Sequence, residues 1–125
     1  MIGYITLGTG NLGTAGAFYD ALLGELGAKR FMSDDRMIVW GTKPGATMLA
    51  VCTPYDEKPA SVGNGTMVAL NGGDEDTVRN LHRRALELGA SNEGHPGPRG
   101  QDFFGAYFRD LDGHKLCVFM MGAGS

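Results

Sequence analysis

The residues best suited to chemistry lie in the second half of the chain. Cys117 stands in the apolar run KLCVFMM, two residues after Lys115, and its thiol is a candidate nucleophile. His95 and Arg99 share the loop EGHPGPRGQD, where a histidine near an arginine suits an anionic substrate or general base catalysis. The alternatives stay open: an apolar, buried role for Cys117, and an exposed loop without function for His95 and Arg99.

Other side chains could line a ligand cavity. The two remaining histidines, His82 beside two arginines in a helix and His114 in the turn DLDGHK, are predicted to face solvent. The period of a strand divides FFGAYF into two faces, and the sequence does not say which of them contacts a ligand. The candidate aromatic contacts are Trp40, Tyr55, Phe104 and Tyr107.

The segment GTGNLG (8–13) matches a dinucleotide-binding pattern, with Asp34 about twenty residues further on where a ribose-binding acid would stand. Two features argue against nucleotide binding. No helix is predicted between the two strands that follow Ser33, and the second half of the chain has the acidic NGGDED in place of the glycine pattern. The pattern is therefore interpreted as a turn.

The length, charge and cysteine content of the chain argue against several classes of protein. The chain has 125 residues and a net charge of −3, which predicts one domain and gives no reason to bind nucleic acid. No charged leader or membrane-length apolar run is present, so no membrane segment is predicted. Cys52 and Cys117 are too few for a disulfide framework, which favours free thiols and a cytoplasmic location.

The chain contains an internal repeat. The segment from Tyr4 to Ala28 aligns with the segment from Met67 to Ala90. Each begins with a short apolar run, passes through a turn rich in Gly and Asn or Asp, and continues as an amphipathic helix that ends in LGA. Gly27 and Gly89 are the predicted helix stops. The apolar positions at helical spacing are Leu12, Ala15, Tyr19, Leu22 and Leu26 in the first helix, and Val78, Leu81, Ala85 and Leu88 in the second.

Three short strands are predicted after each helix, separated by turn-forming residues. They are KRFMS, RMIVWG and TMLAVC in the first half, and SNEG, FFGAYFRD and KLCVFMM in the second; HPGPRG (95–100) is predicted as a turn. The predicted organisation is an α+β fold of two tandem βαβββ modules in a single domain, 1–125. The first module spans 1–54, a linker spans 55–65 and the second module spans 66–121.

The opening ITLGTGNLGTAGAFYDALLGELG and the closing GAYFRDLDGHKLCVF resemble the vicinal oxygen chelate superfamily of glyoxalase I, bleomycin-resistance proteins and extradiol dioxygenases. The resemblance covers essentially the whole chain, including GNGTMVAL at the start of the second module. It implies that the two modules form a curled mixed sheet around a cavity. Since this superfamily shares a fold and varies its chemistry, the resemblance indicates a fold rather than a reaction.

The resemblance also implies where a metal would be held, on the first and last strands of each module. The matching positions here are Tyr4, Ala50, Met67 and Cys117. The metal-dependent reactions need a divalent ion that polarises substrate oxygens, and such ions are held by carboxylates and imidazoles. These four positions offer neither, so no metal cofactor is predicted. The alternative is a divalent ion bound through other ligands.

Two functions remain open at this point. One is metal-free binding of a small molecule, as in the bleomycin-resistance proteins, or chemistry without a metal. The alternative is a metal-dependent glyoxalase-type lyase or dioxygenase acting on a small oxygenated metabolite, so whether the protein is an enzyme is undecided. The resemblance further implies a homodimer, since the edge strands of a small domain favour pairing.

Overall fold

The computed structural model describes residues 1–122. Its contacts divide the chain into two compact units, Met1–Val62 and a second that begins at Gly63. The described part of each unit contains one helix and four strands. The first holds β1 (Tyr4–Gly8), α1 (Leu12–Gly24), β2 (Lys29–Ser33), β3 (Met37–Gly41) and β4 (Met48–Cys52); the second holds β5 (Val68–Asn71), α2 (Glu75–Glu87), β6 (Ser91–Pro98), β7 (Phe103–Arg109) and β8 (Lys115–Met121).

Each unit forms one open mixed sheet. The strand order is β1-β4-β3-β2 in the first unit and β5-β8-β7-β6 in the second. The first strand of each unit pairs in parallel with the last, and the remaining pairs are antiparallel. The predicted α+β fold of two βαβββ modules is therefore confirmed.

The two modules also share their register. Thr6 lies opposite Ala50 in the first sheet, and Ala69 lies opposite Cys117 in the second. Thr6 and Ala69 each precede the N-cap of the following helix by the same number of residues. Ala50 and Cys117 are therefore equivalent positions, as the repeat in the sequence predicts.

Both helices are followed by the glycines that the sequence predicts as stops, although Leu26, which its spacing placed in the first helix, lies beyond the end of α1 at Gly24. Asn11 caps α1 through its side chain, and Asp74 caps α2 in the same manner. Gly27 and Gly89 follow the helices with φ of 81° and 106°, a conformation that glycine adopts without strain. None of the described helices is long and apolar enough to cross a membrane.

Each helix covers one face of its own sheet. In the first unit, Tyr19 and Leu22 are buried, and Trp40 of β3 donates from Nε1 to Asp20 Oδ1 of α1 at 2.9 Å. In the second, Val78 and Leu81 of α2 are fully buried. The helices are thus held mainly by burial of their apolar stripes.

The prediction for residues 95–98 was wrong in one respect. HPGP was predicted as part of a turn, whereas β6 continues through it to Pro98. β6 is the edge strand of its sheet, and its pairing with β7 shifts register between Asn92 and Gly94 and again between Gly94 and Gly97. An irregular edge strand tolerates proline because the missing N–H faces away from the ladder.

Candidate functional site

The polar turn RDLDGHK joins β7 to β8 and fixes their register. Asp110 is buried, and its Oδ1 accepts hydrogen bonds from the backbone N–H groups of Asp112 at 3.0 Å and His114 at 2.9 Å. The carboxylate therefore stabilises the turn from within. In the register that results, Tyr107 lies opposite Cys117. This motif positions the candidate site and does not itself form it.

The two faces of β7 have different surroundings. Phe104 lies on the helix side, where the Arg79 guanidinium of α2 stands 4.9 Å from its ring centroid. Phe103 and Tyr107 lie on the opposite side. There the Phe103 ring stacks on Phe119 of β8, with centroids 5.5 Å apart and planes at 6°. We call this side the Tyr107 face; its residues are Phe103, Tyr107, Lys115, Cys117 and Phe119, with Arg99 lying over Tyr107.

Cys117 and Tyr107 are both uncharged near neutral pH. Cys117 is 0% exposed. Burial raises the pKa of its thiol, against the opposing influences of hydrogen bonds with Tyr107 and Ala106 and of the charges of Arg99 and Lys115. Burial also raises the pKa of the Tyr107 phenol. A buried, protonated thiol is a poor nucleophile, so Cys117 lines this face as an apolar group.

Two cations lie against the Tyr107 ring. The Arg99 guanidinium carbon is 5.5 Å from the ring centroid, and Lys115 Nζ is 5.6 Å from it. Arg99 is held in place by the strand that precedes it, since Nη2 donates to the carbonyl of His95 in β6 at 2.6 Å. Sequence reasoning placed Arg99 near His95, and the structure shows that the link runs through the His95 backbone. The one indication in the sequence that Lys115 belongs to this site is its position two residues before Cys117.

The His95 ring belongs to a different group of side chains. Asn92 Nδ2 lies 3.2 Å from His95 Nε2, while Asn92 Oδ1 lies 3.1 Å from His82 Nε2. The two histidine rings are 6.2 Å apart. His82 Nε2 also lies 3.2 Å from the Tyr107 carbonyl, which indicates that this nitrogen carries the proton. The result is a chain of hydrogen bonds that runs from His82 of α2 through Asn92 to His95 of β6.

The prediction that His82 faces solvent was wrong. His82 is 3% exposed, and its burial is the main cause that lowers its pKa. The signal was present in the sequence, because His82 stands four residues after Val78 and three before Ala85, on the apolar side of α2. The two neighbouring arginines obscured that spacing.

The other aromatic candidates lie apart from the Tyr107 face. Trp40 is 1% exposed beneath α1, and Phe104 is 6% exposed beneath α2, so both are core residues of their own modules. Tyr55 is 88% exposed in the segment between β4 and β5, with the Arg36 guanidinium 5.3 Å from its ring centroid. Of the four predicted aromatic contacts, Tyr107 is the one on this face.

The positions that match the superfamily's metal ligands do not fit a divalent ion. Ala50 and Cys117 are fully buried, while Tyr4 and Met67 are 61% and 43% exposed. Their donors are a phenol, a thioether and a protonated thiol, and Ala50 offers none, whereas hard or borderline ions require carboxylates or imidazoles. Among residues 1–122, no group of three or more His, Cys, Asp or Glu side chains is placed to hold a metal ion.

Two open depressions occur on the described units, and the first of them shares Phe103 with the Tyr107 face. One, of about 220 Å³, lies at the end of β7 and is lined by Glu75, Asp102, Phe103 and Met120, among others. The other, of about 400 Å³, lies in the first unit between Thr9 and the segment from Thr53 to Ala60. Neither includes Tyr107 or Cys117, and neither gathers groups suited to catalysis. The Tyr107 face is the better candidate because it combines aromatic rings with fixed charges.

Comparison with solved structures identifies the fold. A glyoxalase/bleomycin resistance protein from Albidiferax ferrireducens shares 29% identity over 95% of this chain and 97% of its own, with a TM-score of 0.85. A glyoxalase/bleomycin resistance protein/dioxygenase family enzyme from Burkholderia phytofirmans shares 12% over 93% and 94%, with a TM-score of 0.76. A lactoylglutathione lyase from Agrobacterium tumefaciens shares 21% over 95% and 92%, with a TM-score of 0.72. No protein-family model and no curated protein matches the sequence.

The repeated βαβββ modules define a protein of the glyoxalase/bleomycin-resistance fold. This architecture, and a likeness at 29% identity that spans almost the entire chain, support the resemblance to the vicinal oxygen chelate superfamily that the sequence predicts.

Proposed function

We propose that this protein binds a small organic molecule on the Tyr107 face without the help of a metal ion. The observation that carries the proposal is the donor set at the superfamily's ligand positions. Tyr4, Ala50, Met67 and Cys117 supply no carboxylate and no imidazole, and the Cys117 thiol is protonated. A reaction that depends on a Lewis acid therefore lacks its usual ligands in this chain.

The character of the Tyr107 face supports binding as its role. Stacked rings of Phe103 and Phe119 provide a flat apolar surface, and Tyr107 adds a hydroxyl that remains a hydrogen-bond donor. Small-molecule sites are commonly built in this way, from apolar and aromatic side chains with a few fixed polar groups. The neutral, buried Cys117 favours binding over nucleophilic chemistry.

Metal content tests the first part of the proposal. Protein purified without a histidine tag is incubated with zinc, nickel, manganese, iron(II) or cobalt, freed of excess ion and measured by elemental analysis. We expect far less than one ion per chain in every case, and no lactoylglutathione lyase activity. A Cys52→Ser variant controls for zinc held by the more accessible thiol. About one retained ion per chain, with activity that depends on it, would overturn the proposal in favour of a metal-dependent lyase.

A neutral fluorescent probe tests the second part. N-phenyl-1-naphthylamine is flat, apolar and uncharged, and is expected to bind the Tyr107 face with about one molecule per chain. Tyr107→Ala removes a ring contact and is expected to weaken binding by about tenfold. Tyr55→Ala removes an exposed tyrosine outside this face and serves as the matched control. If both variants bind the probe like the original chain, the Tyr107 face is not the binding site.

We further propose that the protein forms a homodimer. The edge strand β2 is exposed throughout, and it carries Phe31 and Met32 at 45% and 42% exposure. Exposed apolar edge strands favour pairing with another chain. Light scattering after gel filtration is expected to give twice the chain mass of 13.2 kDa. A mass of one chain at micromolar concentration would contradict this.

A further inference from the structure

We infer that the ligand of the Tyr107 face carries an oxyanion, a carboxylate or a phosphate, held between Arg99 and Lys115. This inference rests on the proposed function and names the chemical class of the molecule bound. The ligand is expected to combine a flat apolar body with one anionic group at its end.

Most of the cationic side chains of the second unit are paired with carboxylates. Four of its six cationic residues form salt bridges with carboxylates of the same unit: Arg79, Arg83, Arg84 and Arg109. Arg99 and Lys115 form none within the described part of the chain. The two cations left without a carboxylate are the two that lie against the Tyr107 ring.

The Arg99 guanidinium is already held in one orientation without a ligand. Its Nη2 donates to the His95 carbonyl at 2.6 Å and its Nη1 to the Pro98 carbonyl at 3.3 Å. A guanidinium has five N–H donors, so these bonds orient the group and leave donors free for an acceptor. A fixed guanidinium loses little conformational entropy on binding and matches the planar geometry of a carboxylate or phosphate.

Two glycines of β6, Gly94 and Gly97, lie close to the Arg99 guanidinium. A Cβ atom added at Gly94 would stand 3.3 Å from Arg99 Nη2 and 2.9 Å from Tyr107 Cδ2. One added at Gly97 would stand 3.0 Å from Arg99 Nη1. Because Gly94 and Gly97 have no side chains, the Arg99 guanidinium and the Tyr107 ring can approach the backbone of β6 closely. Such close approach is a reason for glycine in the interior of a strand.

Both cations stand near the centre of this face. Arg99 Cζ and Lys115 Nζ lie 5.5 Å and 5.6 Å from the Tyr107 ring centroid, and Tyr107 lies opposite the buried Cys117. Positive charge placed in this way favours a bound anion in its vicinity. The stacked Phe103 and Phe119 rings lie on the same face and suit the apolar body of the ligand.

A matched pair of probes tests the inference. 8-Anilino-1-naphthalenesulfonate has the same ring system as N-phenyl-1-naphthylamine with one added sulfonate. The anionic probe is expected to bind about tenfold more tightly than the neutral one, since a charge-assisted hydrogen bond is worth about a factor of ten or more. For Arg99→Gln and Lys115→Gln, the ratio of the affinities for the anionic and the neutral probe is expected to fall most of the way to one, whatever change each variant makes to binding of the neutral probe. Arg83→Gln on α2 makes the same change of charge elsewhere and is expected to alter neither probe.

Competition at constant ionic strength distinguishes the two kinds of oxyanion. Benzoate and phenyl phosphate are each titrated against the bound anionic probe, with benzamide as the neutral comparator. Displacement by benzoate or by phenyl phosphate, but not by benzamide, identifies the preferred head group. If the neutral probe binds at Tyr107 but the sulfonate adds no affinity, the inference fails and the proposed function stands. If neither probe binds at Tyr107, the proposed function fails as well.

Discussion

At the scale of single residues, Cys117 occupies the last-strand position where the metal-dependent relatives are expected to have a carboxylate. Cys117 lies opposite Ala69 and Tyr107 in the sheet and places a thiol at this position. A carboxylate there would be charged and a strong acceptor, whereas the buried thiol is uncharged and only a weak acceptor. Cys117 is therefore a buried, uncharged residue beneath the aromatic rings of the Tyr107 face.

The reactivity of the two thiols follows from their burial. Cys117 is fully buried with a raised pKa, while Cys52 is partly exposed. Titration of the folded protein with an aromatic disulfide reagent at pH 8 is expected to show one fast thiol per chain. Cys52→Ser should abolish this fast phase and Cys117→Ser should retain it. A fast phase that survives Cys52→Ser would show that Cys117 is accessible.

His82 makes folding stability depend on pH. Its pKa is lowered in the folded chain, mainly by burial, so the unfolded chain binds a proton that the folded chain does not. Its contribution is therefore present above the usual histidine pKa of about 6.5 and is lost progressively as the pH falls below that value. The nearby His95 adds to this, since its charge opposes protonation of His82.

Urea unfolding at pH 7.5 and pH 5.5 measures this effect. His82→Gln is expected to lose less stability between the two values than the original chain, because it removes the titrating group. His114→Gln controls for the loss of a histidine as such. An unchanged difference between the two pH values in His82→Gln would contradict the assignment.

At the scale of elements, each of the two helices begins at a residue whose side chain caps it, Asn11 in α1 and Asp74 in α2. The Asn11 side chain accepts a hydrogen bond from the Thr14 N–H at 3.0 Å and so satisfies one free donor of α1. Asn11→Ala is expected to reduce the free energy of unfolding by about 1 kcal/mol, whereas Asn11→Ser keeps a capping oxygen and should lose much less. Equal losses in the two variants, measured by urea unfolding, would show that the cap does not stabilise the helix.

The edge strand β6 illustrates how an irregular element can position a functional group. Its two register shifts and its glycines allow the chain to continue as a strand while Arg99 folds back over Tyr107. A regular strand with side chains at Gly94 and Gly97 would hold the guanidinium away from the sheet. The irregularity is thus the structural basis of the inferred anion site.

At the scale of the whole molecule, the chain consists of two compact units with the same plan. The described residues between Cys52 and Val68 form no helix or strand, and Tyr55 within them is 88% exposed. Chymotrypsin is expected to cut first after Tyr55, because strand residues such as Tyr4 and Phe31 require local unfolding before cleavage. Tyr55→Ser should remove this first cut. A first cut within residues 4–52 would contradict the expectation.

Much of the fold follows from the sequence by itself. The helices from Leu12 and Glu75, their glycine stops and the hairpin around RDLDGHK are encoded by local spacing and turn residues, which act over a few positions of the chain. The repeat also predicted that Ala50 and Cys117 are equivalent positions, because sequence register within a module fixes register in the sheet.

Only the tertiary structure decided the composition of the candidate site. The side of β7 that carries Tyr107, the burial of His82 and the approach of Arg99 and Lys115 to one ring all depend on contacts between separate elements. The period of a strand divides its residues into two sets but does not say which set a helix will cover. That choice is made when α2 packs on the sheet, since burial of its apolar stripe leaves the opposite face to Tyr107.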